Sequence, residues 1–226
     1  MKNSRTRTIL GLAVVAVAAI VLTAASANAD MVFSENFESP VVVGYDQYPP
    51  LPAGWVASNQ GYGSNKSGLF NDGAGNQSYA FRYTNSGLTT AEGVIGDLTL
   101  GETYTISFDV AADLDLTQLA YTAQLVAFAP EAPRNDTRST PAGSEVLSSS
   151  GGKANDDGTW RTVSFEFTPD AVDNAASIGK DLGIRFIGAS SSALIDNVKV
   201  DVVPEPATMS LLVLGGLGLL RRRRRA

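Results

Sequence analysis

The sequence predicts an all-β fold, an antiparallel β-sandwich of the jelly-roll type. Three observations predict it. Thr103–Val110 reads TYTISFDV, with Tyr104, Ile106, Phe108 and Val110 in one phase and Thr105, Ser107 and Asp109 in the other. Thr162–Thr168 repeats the pattern with Val163, Phe165 and Phe167 inward. A period of two places alternate side chains on opposite faces of a strand, so such segments are half-buried strands. Finally, no long helical periodicity occurs between Asp30 and Val203. Short strands separated by turn-rich segments then leave a sandwich as the simplest way to bury one face of each.

Taken in order, Met31–Phe37 opens the domain, and Ser78–Thr84, Thr103–Val110 and Tyr121–Ala129 follow. Thr162–Thr168, Leu182–Ala189 and Ala193–Asp201 complete the predicted strands. Asn59–Gly75 and Pro130–Gly158 are rich in Gly, Asn, Ser and Asp and read as connections. Within the second, Ser139–Gly158 reads as a long flexible loop. No internal repeat is evident.

The two ends do not belong to this fold. Lys2, Arg5 and Arg7 precede an apolar run, Ile9–Leu22, and Ala27-Asn28-Ala29 is a small-x-small cleavage site. This is the pattern of a secretory signal helix, with Asp30 as the first mature residue and an uncleaved anchor as the alternative. Its expected partners are Sec-type export machinery and a signal peptidase. At the other end, Val203-Pro204-Glu205-Pro206 leads into the apolar run Ala207–Leu220 and then Arg221, Arg222, Arg223, Arg224 and Arg225. The prolines end the preceding strand. The arginines hold the segment on the cytoplasmic side. Fourteen residues of helix span about 21 Å against a hydrocarbon core of about 30 Å. That length suits a transient stop in the inner membrane better than a permanent anchor. The expected organisation is a signal peptide at 1–29, a sandwich domain at 30–202 and a sorting segment at 203–226.

Pro-Glu-Pro, a short Gly/Leu-rich helix and an arginine tail, in that order, resemble the PEP-CTERM sorting signal. That signal is read by exosortase-type membrane proteases in bacteria that secrete exopolysaccharide. The resemblance implies a chain that is exported, processed and left in the envelope, at the surface or in the extracellular matrix. A plain tail anchor is the alternative.

Composition narrows the chemistry. The chain has 17 basic and 23 acidic residues. Its ends take eight of the basic residues and one acidic residue, Glu205, leaving nine basic against 22 acidic between them, a net charge of −13. Such a surface repels nucleic acid and attracts divalent cations. With no histidine and no cysteine, Ser-His-Asp and Cys-His catalysis, disulfides and the usual zinc sites are excluded. No carboxylate pair stands out as glycosidic machinery; Asp113-Leu114-Asp115, at the end of a predicted strand, is the nearest. Asn155-Asp156-Asp157-Gly158 lacks the later ligands of a calcium loop and reads as a turn.

Aromatic residues are the candidates for stacking on sugar rings. Tyr45, Tyr48 and Tyr62 lie among Gly, Asn and Pro and are the better ones; Trp55 lies between a binding and a core role, and Trp160 is expected in the core. Asp196 falls in the apolar phase of Leu194, Val198 and Val200, where a carboxylate needs a pair, hydrogen bonds or a metal.

A second resemblance rests on the order of short landmarks. They run from Glu35-Asn36-Phe37-Glu38 through Pro52-Ala53-Gly54-Trp55, Gly75-Asn76-Gln77-Ser78-Tyr79 and Leu100–Phe108. Asp157-Gly158-Thr159-Trp160 and Leu194-Ile195-Asp196-Asn197-Val198 complete the series. This order is similar to the galactose-binding-like jelly rolls of carbohydrate-binding modules and of many PEP-CTERM proteins. Pro130–Gly158 is longer than the corresponding stretch of a typical sugar-binding module. The resemblance implies a non-enzymatic domain that binds extracellular polysaccharide. It also implies a structural calcium ion shared by Glu38 and Asp196, with no cofactor otherwise required. A matrix protein without a ligand site, and a carboxylate-dependent glycan hydrolase, are the alternatives.

Overall fold

The computed structural model describes residues 28–42, 45–46, 51–58, 68–72, 76–81, 86–112, 120–134, 139–155, 157–188 and 193–204. The predicted signal helix and C-terminal membrane helix lie outside them. So do Ala27, Tyr48, Tyr62, Asp113-Leu114-Asp115, Glu205, Pro206 and Arg221–Arg225. Among the described residues, no helix is long and apolar enough to cross a membrane.

Ala29–Val203 forms a compact unit of strands. In chain order these are β1 (Asp30–Glu35), β2 (Tyr45–Asp46), β3 (Trp55–Ser58), β4 (Gly68–Asn71), β5 (Gln77–Phe81) and β6 (Gly87–Thr90). There follow β7 (Glu102–Ala112), β8 (Ala120–Phe128), β9 (Glu145–Lys153), β10 (Arg161–Phe167), β11 (Asp181–Gly188) and β12 (Ala193–Pro204). One sheet has seven strands in the order β10-β7-β12-β5-β4-β2, with β1 also paired to β12. The other has five, in the order β3-β6-β11-β8-β9. The fold is therefore the expected sandwich.

Alternation builds its interior. Tyr104, Ile106, Phe108 and Val110 of β7 are buried, as are Leu182, Ile184 and Phe186 of β11. Trp55 joins the two layers: its ring lies 5.5 Å from Phe33, 5.6 Å from Phe37 and 6.3 Å from Phe186. Large aromatic areas withdrawn from water supply much of the driving force, at about 25 cal/mol per Å² of apolar surface.

Several strands lack the signal that predicted the others. β9 lies inside the segment expected to be a flexible loop and reads EVLSSSGGK. It pairs with β8 from Ala120↔Lys153 to Ala127↔Glu145, with one irregularity at Leu125/Val126. Its pairing rests on backbone groups offered by the edge of β8, so side-chain alternation is not required. β4 likewise falls inside the expected connection Asn59–Gly75, pairing Gly68–Asn71 with Gln77–Ala80. β2, β3 and β6 have only two to four residues each, too short to register a period. Trp160 reverses its expectation: it precedes β10 and is 40% exposed. The Gly158 N–H donates to Asn155 O at 3.4 Å, in keeping with the expected turn, and Gly158 has a φ of 73° that favours glycine.

Candidate functional site

Asp196 is a buried carboxylate at a break in the pairing of β12. β12 pairs with β5 through Ala193–Ile195 and with β1 through Val198–Val202. Asp196 and Asn197 fall between these two registers, and Asn197 takes a left-handed φ of 49°. Asp196 is 3% exposed. Its carboxylate accepts the Asn197 N–H at 2.7 Å. Burial pushes its pKa up to about 6; the Asn197 bond opposes this, and the charges of Glu38, Asp109 and Glu35 add to it.

Each neighbouring acid has partners of its own. Glu35 Oε1 accepts the Phe37 N–H at 2.7 Å. Glu38 Oε1 accepts the Gln77 N–H at 3.0 Å. Asp109 accepts from Thr162 Oγ1 at 2.6 Å and from Asn197 Nδ2 at 3.0 Å. Glu38 and Asp196, distant in sequence, are thus brought within electrostatic reach. The available donors are all oxygen, the kind a hard divalent cation takes. Among the described residues no group of three or more Asp, Glu, His or Cys side chains is arranged to hold a metal. A cation here would therefore take at most two carboxylate ligands from them and find the rest in other oxygens, such as backbone carbonyls and water.

Gln77 organises the same region and was not singled out by sequence reasoning. Its buried amide donates from Nε2 to Phe37 O and Pro40 O, the latter at 2.7 Å, and accepts the Val42 N–H at 2.8 Å. A glutamine opening a strand carries no signal of this in sequence.

The aromatic candidates separate. Trp55 is 6% exposed, and its indole N–H has no hydrogen-bond partner. Of the binding and core roles left open for Trp55, the structure favours the core: its ring packs among Phe33, Phe37 and Phe186. Tyr45 sits in β2 opposite Phe70.

The outward face of the five-stranded sheet is the second place where polar groups converge. Register aligns Val56, Thr89, Arg185, Gln124 and Ser149 in one row across all five strands. The segment after β8 returns over this row. Arg185 donates to Gln124 Oε1 from Nε at 2.8 Å and from Nη2 at 2.6 Å. It also donates to Ser139 O at 3.0 Å and Thr140 Oγ1 at 3.2 Å. Arg134 pairs with Asp181, donates to Thr90 O at 3.1 Å, and stacks its guanidinium 4.1 Å from the Phe128 ring centroid. Gly183 makes this approach possible: a Cβ there would stand 2.7 Å from Phe128, 2.8 Å from Arg134 and 2.9 Å from Thr90. Thr89, Val126, Phe128 and Arg185 are consequently buried. The segment after β8 thus covers the part of this face around Arg185 and Thr90, while Ser149 at the end of the row stays exposed.

Comparison with known proteins adds two findings. The PEP-CTERM protein-sorting motif matches residues 202–225. The chain is also similar to a cyclase from Fischerella sp. TAU, with 18% identity over 79% of this chain and 99% of that one, at a TM-score of 0.53. The CBM22-1 xylan-binding domain from Paenibacillus barcinonensis Xyn10C is similar too, with 16% identity, coverage of 80% and 99%, and a TM-score of 0.47. No curated protein matches. The structural likeness concerns the fold alone, since one sandwich hosts many chemistries. The motif says more. This β-sandwich carries a PEP-CTERM sorting signal, which implies export and exosortase-dependent delivery to the cell surface or exterior.

Proposed function

We propose that the chain is a non-enzymatic matrix or surface protein that binds extracellular polysaccharide. The observation that carries the reading is the sorting motif at 202–225, which continues directly from the last strand of the sandwich. In this reading the signal peptide is removed after Ala29 and the C-terminal helix holds the chain briefly in the inner membrane. An exosortase-like protease then releases the domain. Binding falls to Tyr45, Tyr48 and Tyr62, because Trp55 is spent on the core and the outward face of the five-stranded sheet is covered around Arg185. A calcium ion held by Glu38 and Asp196 serves stability and plays no part in chemistry. Glycan-array profiling of the purified mature domain tests the reading. Selective binding, lost in Tyr62→Ala, supports it, and silence across the array leaves a purely structural matrix protein. The cover over Arg185, Val126 and Phe128 is the observation that favours this second reading. Turnover of secreted polysaccharide by the purified domain would overturn both.

A further inference from the structure

Trp160, expected in the core, stands instead beside a row of hydrogen-bonded polar side chains on the seven-stranded sheet. β7 and β10 pair in register as Thr162↔Asp109, Ser164↔Ser107 and Glu166↔Thr105. These residues alternate with the buried Ile106, Phe108 and Val163, so they face away from the core. Thr162, Ser164, Glu166, Asn197 and Lys199 are exposed, and Thr105, Ser107 and Asp109 are half-buried. Trp160 comes two residues before Thr162, in the same phase, and is 40% exposed. Two residues along a strand span about 7 Å, so Trp160 and Thr162 are neighbours on that face. The row is fixed by its own bonds. Asp109 Oδ1 accepts from Thr162 Oγ1 at 2.6 Å and Oδ2 from Asn197 Nδ2 at 3.0 Å, which ties β10, β7 and β12 together through their side chains.

A large ring open to water beside preset polar groups suits a sugar, whose C–H face packs on the indole while its hydroxyls meet the row. An ionised carboxylate has about four acceptor sites, so Asp109 can take a further hydroxyl after Thr162 and Asn197. Side chains held before binding lose little freedom on it. Charge selects the kind of chain. Among the described residues of this face, Asp109, Glu166 and Asp201 outnumber Lys199, so a polyanion is repelled. We propose that Trp160, Thr162, Asp109 and Asn197 form a binding site for a neutral, hydroxyl-rich glycan, additional to Tyr45, Tyr48 and Tyr62. One sugar lies on Trp160, and the row binds the hydroxyls of the next. The site rests on reading the domain as a polysaccharide binder and fixes the class of polysaccharide as uncharged.

Affinity electrophoresis of the full chain, in a detergent without a sugar headgroup, tests this in gels containing unsubstituted xylan, a neutral β-glucan or polygalacturonate. Retardation is expected in a neutral gel and not in polygalacturonate. Trp160→Ala should weaken it about tenfold or more, the range that loss of one stacking ring gives. Thr162→Val should weaken it several-fold with the ring intact. In the free chain acrylamide should quench the exposed Trp160 before the buried Trp55, and the retarding glycan should protect it. Trp160→Phe should remove that protected signal. These two readouts decide the matter even if Trp160→Ala lowers the melting temperature. Retardation of the parent that Trp160→Ala leaves unchanged overturns the site while polysaccharide binding stands. Stronger retardation by polygalacturonate overturns the assigned class. A parent that runs freely in all three gels overturns the site together with the reading it rests on.

Discussion

Gln77 and Glu38 bind each other's segments from both sides: the Gln77 N–H reaches Glu38 Oε1 at 3.0 Å, while the Gln77 side chain spans Phe37 O, Pro40 O and the Val42 N–H. One residue thus satisfies three backbone groups of the turn that carries Glu38. That turn joins β1 to the rest of the chain and brings Glu38 towards Asp196. Holding the turn therefore holds the acidic site.

Gln77→Ala should remove these bonds and leave backbone groups of the turn without partners. Each such group costs about 1–3 kcal/mol when buried, so a loss of about 3 kcal/mol or more is expected in urea unfolding. A loss below about 1 kcal/mol would mean that water replaces the amide.

Trp55→Ala and Tyr62→Ala should behave oppositely. Emptying the Trp55 position removes contacts with Phe33, Phe37 and Phe186 and should cost about 3–5 kcal/mol of stability. Tyr62→Ala should leave thermal melting unchanged and weaken glycan binding by about 1–3 kcal/mol, by analogy with stacking of bases on aromatic side chains. A Trp55→Ala domain that melts like the parent would contradict its place in the core.

Calcium should raise the melting temperature of the mature domain, and chelator should lower it. At one hundred times its dissociation constant a ligand stabilises by about 2.7 kcal/mol. Asp196→Ala should abolish the difference between the two conditions. Melting indifferent to calcium in protein shown to be metal-free would dismiss the ion.

In chelator, stability should fall as pH rises from about 4 to about 6. The sign follows from Asp196: its folded pKa is raised to about 6 from the ordinary 3.8, so the folded state keeps a proton that the unfolded chain releases. The contribution is full below the unfolded value and lost through the folded one, about 3 kcal/mol in all. Asp157 and Asp170, lowered chiefly by hydrogen bonds from Thr159 and from the Asp173 and Val172 N–H groups, work in the other direction at exposed positions. Asp196→Asn should flatten the profile between pH 4 and 6. A parental profile that rises through that window would refute the assignment.

Arg134→Met should destabilise the domain by about 1–3 kcal/mol, because it leaves Asp181, whose carboxyl burial pushes upward, with the Gly93 N–H in place of its charged partner. Proteolysis of the segment after β8 should accelerate in parallel. Stability equal to the parent would show that the Arg134 contacts to Thr90 and Phe128 do not hold the cover.

The sequence by itself determined the sandwich, because β7, β8, β10, β11 and β12 each carry enough alternating apolar residues to commit one face to the core. It also determined the sorting motif, whose prolines, apolar run and arginines act through local chemistry. It marked Asp196 as out of place among Leu194, Val198 and Val200. Tertiary structure decided the rest. β9 exists because β8 offers an unpaired edge, which no property of SSSGG announces. Trp55, left open between binding and core, is buried, and Trp160, expected in the core, is 40% exposed, because burial depends on what packs against a ring, not on its neighbours in sequence. Gln77, Arg134 and Arg185 act on segments 35 or more residues away, where only the folded chain brings donors to acceptors.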